Sequence, residues 1–338
     1  MPAHISSTCK LDLPKSHSMS YRVTTQVAVI CFLLVSCSAT TADSAVTTSR
    51  GASATSLPPV TTTTIAPTTP TTWAPTTTTT AQPVPRCRPN PFSDGFADEL
   101  AADYPSAQLT AHVYDTRTDC SYSLNADNRQ RTASIFKVMV MAGTLLEAQE
   151  ASREVSDWEL GEMTPMITRS TNPPVRALWR SFGAGSWFTR QTEIFGLNQT
   201  EVEGEDGVTP WGRTHTSALD QVNLIRQVLL GHWGRLDTGS RATALDLMTS
   251  VVPSQTWGIT AGVPDNWTVA QKNGFAGPII NSAGWIDEPG ESEGYVVAIL
   301  TEGWGSHAAG IAVVERIAEA INRAMLVASR AHNPDGVD

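Results

Sequence analysis

Between residues 87 and 338, strand-type alternation falls at the two ends and helical periodicity fills the middle. Gln108 to Tyr114 alternates, Asp115 to Asp119 supplies turn residues, and Cys120 to Leu124 returns, so this stretch reads as a β-hairpin. Three more strands are predicted late, over Thr268–Gly274, Ile279–Ile286 and Tyr295–Thr301. A lone hairpin is marginally stable in water. The two groups of strands are therefore expected to complete one antiparallel sheet from both ends of the chain. Helices are predicted over Ser93–Tyr104 with Ser93 as N-cap, from Ser134 onward, over Asp157–Arg169, from Asn172 to Gly183, and over Trp187–Phe195. Thr216–Leu230, Arg241–Met248 and a closing Ala308–Val327 follow. Asn172 before Pro173-Pro174 has the form of a helix cap followed by proline in the first turn. The mid-chain helices then make a second lobe beside the sheet.

The first 86 residues do not read as foldable. Val27 to Val35 is an apolar run too short to span a bilayer and suited to the core of a signal peptide. Met19 gives a more ordinary start than Met1, because it leaves the short leader Met19-Ser20-Tyr21-Arg22. The run ends in Leu34-Val35-Ser36-Cys37, which resembles a bacterial lipobox with Cys37 as the lipid-bearing residue. Simple cleavage near Ala39 and release is the alternative. Residues 38–86 are dominated by Thr, Pro, Ser and Ala, a composition that buries no core and favours an extended stalk. Export is therefore expected, either to the outer face of the membrane or into the cell envelope. Of five cysteines, Cys9, Cys31 and Cys37 belong to the leader. Cys87 and Cys120 remain, and in an exported chain they read as one disulfide rather than two free thiols.

The chain carries a formal charge of −10, and its first 86 residues hold five basic against two acidic side chains, which leaves −13 for the rest. That balance excludes a nucleic-acid binder and gives no purchase on anionic lipid; membrane contact is expected only through the N-terminal lipid. From Cys87 onward there are 18 basic residues, and only Lys137 and Lys272 are lysines. Arg cannot release its proton in a protein, whereas Lys can. Both amines are expected to do something that Arg cannot.

Thr132-Ala133-Ser134-Ile135-Phe136-Lys137 leads straight into the apolar run Val138 to Leu146. Positions i and i+3 share one helix face, so the Lys137 amine falls beside the Ser134 hydroxyl. A serine hydroxyl needs a nearby base to act as a nucleophile. A lysine supplies one when burial and neighbouring charge lower its pKa. At a helix start, free N–H groups and the dipole can steady an oxyanion. Chance also produces Ser-x-x-Lys at solvated helix starts, so the pair needs support from elsewhere.

Support comes from Ser170-x-Asn172 and Lys272-Asn273-Gly274, in that order after Ser134-x-x-Lys137. Together they resemble the penicillin-recognising serine enzymes, the class A β-lactamases and D-Ala-D-Ala peptidases. The resemblance covers residues 87–338 and includes the early hairpin and the Asn281-Ser282-Ala283-Gly284 strand. It implies an α+β fold in three layers (α/β/α), with a five-stranded antiparallel sheet flanked by helices and a helical lobe. It implies Ser134 as the acylated nucleophile, Lys137 as its base or relay, and Ser170 for proton transfer to the leaving nitrogen. Asn172 would meet the substrate amide, Lys272 would serve Ser170 and an anionic substrate, and the Ser134 and Phe275 N–H groups would form the oxyanion hole.

Departures matter. Thr171 replaces the usual Asp, and Asn273 replaces the Thr or Ser that holds a substrate carboxylate, which puts substrate preference in doubt. The gap between the first two motifs is short, so the helical lobe is trimmed. Class A enzymes activate water with the Glu of Glu-x-x-Leu-Asn. Here Glu193 precedes Leu197-Asn198 by one residue too many and reads as a solvated helix residue. Glu201, Glu203, Glu205 and Asp206 are further candidates within an acidic loop.

The expectation is an exported, monomeric serine hydrolase without cofactor or metal, acting on a β-lactam or a cell-wall acyl-D-Ala peptide and deacylating slowly. The alternatives are a non-catalytic penicillin-binding or scaffold protein of the envelope, and a Ser–Lys esterase. The histidines show no metal-ligand spacing. The tryptophans, among them Trp158, Trp179, Trp187, Trp211, Trp233, Trp257 and Trp304, are expected to pack in the core, with the cleft rim as the alternative place for Trp211 and Trp257.

Overall fold

A computed structural model describes residues 87–93, 95–201, 213–290 and 293–327. The leader with Cys37, the stalk, and Glu203, Glu205, Asp206 and Trp211 lie outside the described residues.

The five-stranded antiparallel sheet combines β1 (Gln108–Asp115) and β2 (Cys120–Leu124) with β5 (Thr268–Ala276), β6 (Ile279–Asp287) and β7 (Gly294–Glu302). Its order is β2-β1-β7-β6-β5, so the last strand pairs with the first hairpin and β5 is an edge. A two-residue pair, β3 (Gln130–Arg131) with β4 (His215–Thr216), lies apart. The helices are α1 (Phe96–Asp103), α2 (Phe136–Glu150), α3 (Asp157–Thr168), α4 (Pro173–Ser181), α5 (Ala184–Ile194), α6 (Ala218–Leu230), α7 (Thr238–Thr249) and α8 (His307–Leu326). Among the described residues, no helix is long and apolar enough to cross a membrane.

The sheet has two covered faces, which explains why β6 and β7 are buried along nearly their whole length instead of alternating. Ala270, Ala283, Trp285, Val296 and Ala298 face the lobe built on α2 and α6. Ala111, Val113, Ile280, Ile286 and Val297 face α1 and α8. Within the lobe, Phe136 stacks on Phe188 with ring centroids 4.2 Å apart and lies beside Trp179. This aromatic layer fixes the first turn of α2, the turn that carries Lys137. The Cys87–Cys120 disulfide ties the start of the domain to β2, with Cα atoms 5.7 Å apart. Asp115, fully buried, receives Arg88 at 2.9 Å and Arg117 at 2.7 Å.

Some local expectations give way. Ser93 does not cap the first helix; α1 starts at Phe96 after Gly95 (φ +83), and the Ser93 hydroxyl donates to Asn90 O at 2.7 Å in the preceding turn. Asn172 stands at the N-cap position of α4, but its side chain makes no cap bond. Pro173 and Pro174 carry no N–H, so little is left there to cap. Trp179 and Trp187 are buried, whereas Trp158 is 48% and Trp233 61% exposed.

Candidate active site

Ser134 lies on a single 3-10 turn, Ala133–Ile135, that runs directly into α2. The turn is seated by three contacts. The Asn281 amide of β6 donates to Arg131 O at 2.9 Å and Thr132 O at 3.0 Å, and Thr132 N donates to Thr214 O at 2.8 Å. Gly274 of β5 presses against the same turn. A Cβ there would come within 2.8 Å of Ser134 N and 2.9 Å of Ile135 N, so only glycine permits this approach. Ala133 (φ +44) and Ser170 (φ +59) both hold left-handed backbone, each at a cost of roughly 1 kcal/mol. Strain of this kind persists where surrounding contacts over-determine the backbone.

Lys137 is fully buried, and its Nζ is the hub of the site. It lies 3.0 Å from Ser134 Oγ, 2.5 Å from Ser170 O, 3.2 Å from Ser170 Oγ and 2.9 Å from Asn172 Oδ1. A neutral amine has two hydrogens and one lone pair. Ser170 O and Asn172 Oδ1 can only accept, so they take both hydrogens. The lone pair is left for the Ser134 O–H. Burial lowers the Lys137 pKa from 10.5 to about 8. Among the described residues no carboxylate pairs with Lys137 or Lys272. Lys272 donates to Ser170 Oγ at 2.9 Å and to Asn273 O at 2.7 Å. Its pKa is held well below the usual value by burial first and by the charge of Lys137 second. Two such amines, linked through one hydroxyl, do not both carry a proton at neutral pH.

The sequence singled out Ser134, Lys137, Ser170, Asn172, Lys272 and Gly274, and the fold brings their atoms together. Asn172 does so in an unexpected way, because its carbonyl oxygen orients Lys137 instead of capping α4. Asn273 departs further. Successive strand residues face opposite sides, so Lys272 and Gly274 face the lobe while Asn273 pairs with Ser282 on the α8 side. Asn273 is 2% exposed; its amide donates to Gln255 O and Trp257 O, each at 2.8 Å, and Ser282 Oγ donates to its carbonyl at 2.6 Å. Its hydrogen bonds go to the protein, and a substrate carboxylate finds no free donor on this side chain. Instead Asn273 anchors the loop that carries Trp257. Phe275, 48% exposed, follows on that face, 4.5 Å from the ring of His307. Sequence reading gave no role to Gln255, Ser282 and Asn281 as supports; only the β5–β6 register reveals them.

A family model described as the β-lactamase enzyme family matches residues 156–325, half of the chain. The chain belongs to this family. The match begins after Ser134 and Lys137 and includes Ser170 and Lys272. Solved structures with this fold include PBP-A, at 19% identity and a TM-score of 0.59, covering 68% of this chain and 93% of that one. An ancestral class A β-lactamase, GNCA, gives 21%, 0.59, 68% and 99% on the same measures. A β-lactamase from Burkholderia vietnamiensis gives 20%, 0.58, 67% and 94%. At these identities the likeness establishes the fold, which is that of the class A β-lactamases. No match is found among curated proteins. Within this β-lactamase-like family, the geometry above is that of a serine next to a buried, deprotonatable amine.

Proposed function

We propose that this domain is an exported active-site-serine hydrolase that opens a β-lactam ring or cleaves an acyl-D-Ala-type amide through an acyl-serine at Ser134. One observation carries the reading: a buried lysine without a carboxylate partner among the described residues stands 3.0 Å from the Ser134 hydroxyl, its lone pair the capacity left for that contact. Lys137 takes the Ser134 proton as Oγ attacks the carbonyl. The proton moves to Ser170 Oγ, 3.2 Å away, and from there to the departing nitrogen as the C–N bond breaks. Lys272, 2.9 Å from Ser170 Oγ, supports that transfer and attracts an anionic substrate. The N–H groups of Ser134 and of Phe275, on the edge strand, receive the oxyanion. A mutant of the related PBP-A has been solved as an acyl-enzyme with penicillin G, which supports the substrate class. The Cys87–Cys120 bridge supports export to an oxidising compartment, and Cys37 is the residue that would carry a lipid anchor there.

The test is to incubate the protein with a fluorescent penicillin and read intact mass. An adduct on the wild type that is lost in Ser134→Ala is expected. No adduct on the wild type, or an adduct that persists in Ser134→Ala, refutes the assignment.

A second reading concerns turnover. Glu193 is exposed on the last turn of α5, and among the described residues no carboxylate touches Ser134, Lys137 or Ser170. This favours slow hydrolysis of the acyl-enzyme and a penicillin-binding or peptidase-like role over that of an efficient β-lactamase. An adduct that decays within one catalytic cycle of a fast hydrolase excludes it.

A further inference from the structure

At the corner of the sheet away from Ser134, β1, β6, α6 and α7 line an open cavity of about 460 Å³, within the range of small-molecule sites. Tyr114, Trp285 and Ala270 lie in one cross-strand row, three residues along the strands from the row of Asn273. That is roughly 10 Å along the strands, with a further ~14 Å across them from β5 to β1. The cavity is thus separate from the serine site.

Its chemistry is one-sided. Arg226 and Arg241 both line it, and neither has an ion pair among the described residues. Elsewhere Arg88, Arg117 and Arg153 each meet a carboxylate. The Arg226 guanidinium lies 3.4 Å from the centroid of the Tyr114 ring and 5.4 Å from that of Trp233, and its Nη2 is 2.8 Å from His232 Nε2. Burial, and secondly the Arg226 charge, lower the His232 pKa, so His232 accepts as a neutral ring. Arg241 donates to Thr238 Oγ1 at 3.3 Å and rests against Gly231 (φ +72), where a Cβ would meet Nη1 at 2.5 Å. Arg226 Nε, Arg241 Nε and Trp285 Nε1 are all buried without a hydrogen-bond partner. These unpartnered N–H groups are packed into the cavity wall and add to its excess of donors. Among the described residues the acidic groups facing it are few. Asp119 is occupied by the Tyr114 hydroxyl at 2.5 Å, and Glu293 is exposed on the cavity wall. Trp233, 61% exposed, is held beside Arg226 in left-handed backbone (φ 56°, ψ 8°).

We propose that this cavity is a second ligand site that takes the oxyanion, carboxylate or phosphate, of a small molecule whose ring or apolar part lies on Trp233. Two guanidinium forks match a two-oxygen acceptor, and an exposed indole next to them suits a flat neighbour. The side chains that bind are Arg226 and Arg241, with Trp233 as platform and Glu293 as the local repulsive charge.

The probes are phenyl phosphate and benzoate, with benzyl alcohol as the neutral control, titrated into the full chain and followed by calorimetry and by indole N–H resonances. Saturable binding of one or both anions is expected, with shifts at Trp233 and Trp285. Binding of phenyl phosphate alone marks the site as a phosphate pocket; binding of both marks a general oxyanion pocket. Arg241→Gln should weaken binding at least about tenfold, and Glu293→Gln should tighten it. Arg241 is partly exposed, so this variant remains testable where Arg226→Gln disturbs packing on Tyr114. Acylation by the fluorescent penicillin should be unchanged in Arg241→Gln. Equal binding of benzyl alcohol, undiminished binding by folded Arg241→Gln, or no saturation with either anion overturns the proposal.

Discussion

If Lys137 takes the Ser134 proton, the rate of acylation follows the fraction of Lys137 that is neutral. Burial brings this amine from 10.5 to about 8. The neutral fraction is then roughly 1% at pH 6, 10% at pH 7 and 90% at pH 9. An amine left at 10.5 would be about 300-fold scarcer as a base at pH 7. The assay is the first-order appearance of adduct on Ser134 under excess fluorescent penicillin, quenched and read by mass, from about pH 6 to about pH 9. The logarithm of the rate should climb with a slope near one and level off above about pH 8. Lys137→Arg keeps the charge and loses the acceptor, so acylation should fall by a factor on the order of 10³. The same shift has a stability counterpart of about 3 kcal/mol. The folded pKa lies below the unfolded one, so below about pH 8 the amine opposes folding in full. The opposition shrinks as pH rises from about 8 to 10.5 and is gone above that. The urea midpoint of wild type should therefore rise relative to that of Lys137→Met across that window. A flat acylation profile, or folded Lys137→Arg that acylates at the wild-type rate, would sink the reasoning.

Other perturbations follow from the same contacts. Gly274→Ala places a methyl 2.8 Å from Ser134 N, and acylation should drop at least tenfold with little change in circular dichroism; an unchanged rate refutes the close approach. Asn273→Ala removes three hydrogen bonds, those of its amide to Gln255 O and Trp257 O and that of Ser282 Oγ to its carbonyl, so denaturant unfolding should show a loss of about 2–3 kcal/mol, where a substrate-contact role alone predicts none. Reducing Cys87–Cys120, or Cys120→Ser, should cost about 3–4 kcal/mol in the same measurement. Glu159 is held at about 2, first by the Arg153 hydrogen bonds. Its folded pKa is depressed, so its contribution is complete above about pH 4.5 and fades as pH falls toward 2. A stability profile for Glu159→Gln that runs parallel to wild type between those values would contradict it.

Much of the fold is legible because its signals are local. Cys120–Leu124 and the start of β5 at Thr268 fall where alternation places them, and α6 begins within two residues of the expected position. The Ser134–Lys137 pair is legible because helix spacing alone sets one beside the other. Ser93 fails as a cap because a turn closed by Asn90 competes for it. Asn273 misleads because its neighbours in sequence, Lys272 and Gly274, face the site, while the pleat turns Asn273 away toward Ser282. The basic cavity is illegible for a different reason. Tyr114, Arg226, Arg241 and Trp285 come from four elements, and no sequence spacing links them.

The two lysines explain more together than apart. Either alone, buried without a carboxylate, would shed its proton at modest cost. Linked through Ser170 Oγ at 3.2 and 2.9 Å, they form a unit with a reduced number of protons that an anionic substrate can recharge. Under the proposed function, a substrate carboxylate near Lys272 would stabilise its ammonium form. Once Ser134 is acylated it no longer supplies a proton, and water must be deprotonated by a group that reaches the ester. Among the described residues, the polar atoms gathered at Lys137 are Ser134 Oγ, Ser170 O, Ser170 Oγ and Asn172 Oδ1, with no carboxylate among them. Among the described residues the site thus holds groups for the first half of the proposed reaction, and the lifetime of the acyl-enzyme is the measurement that tests the second half.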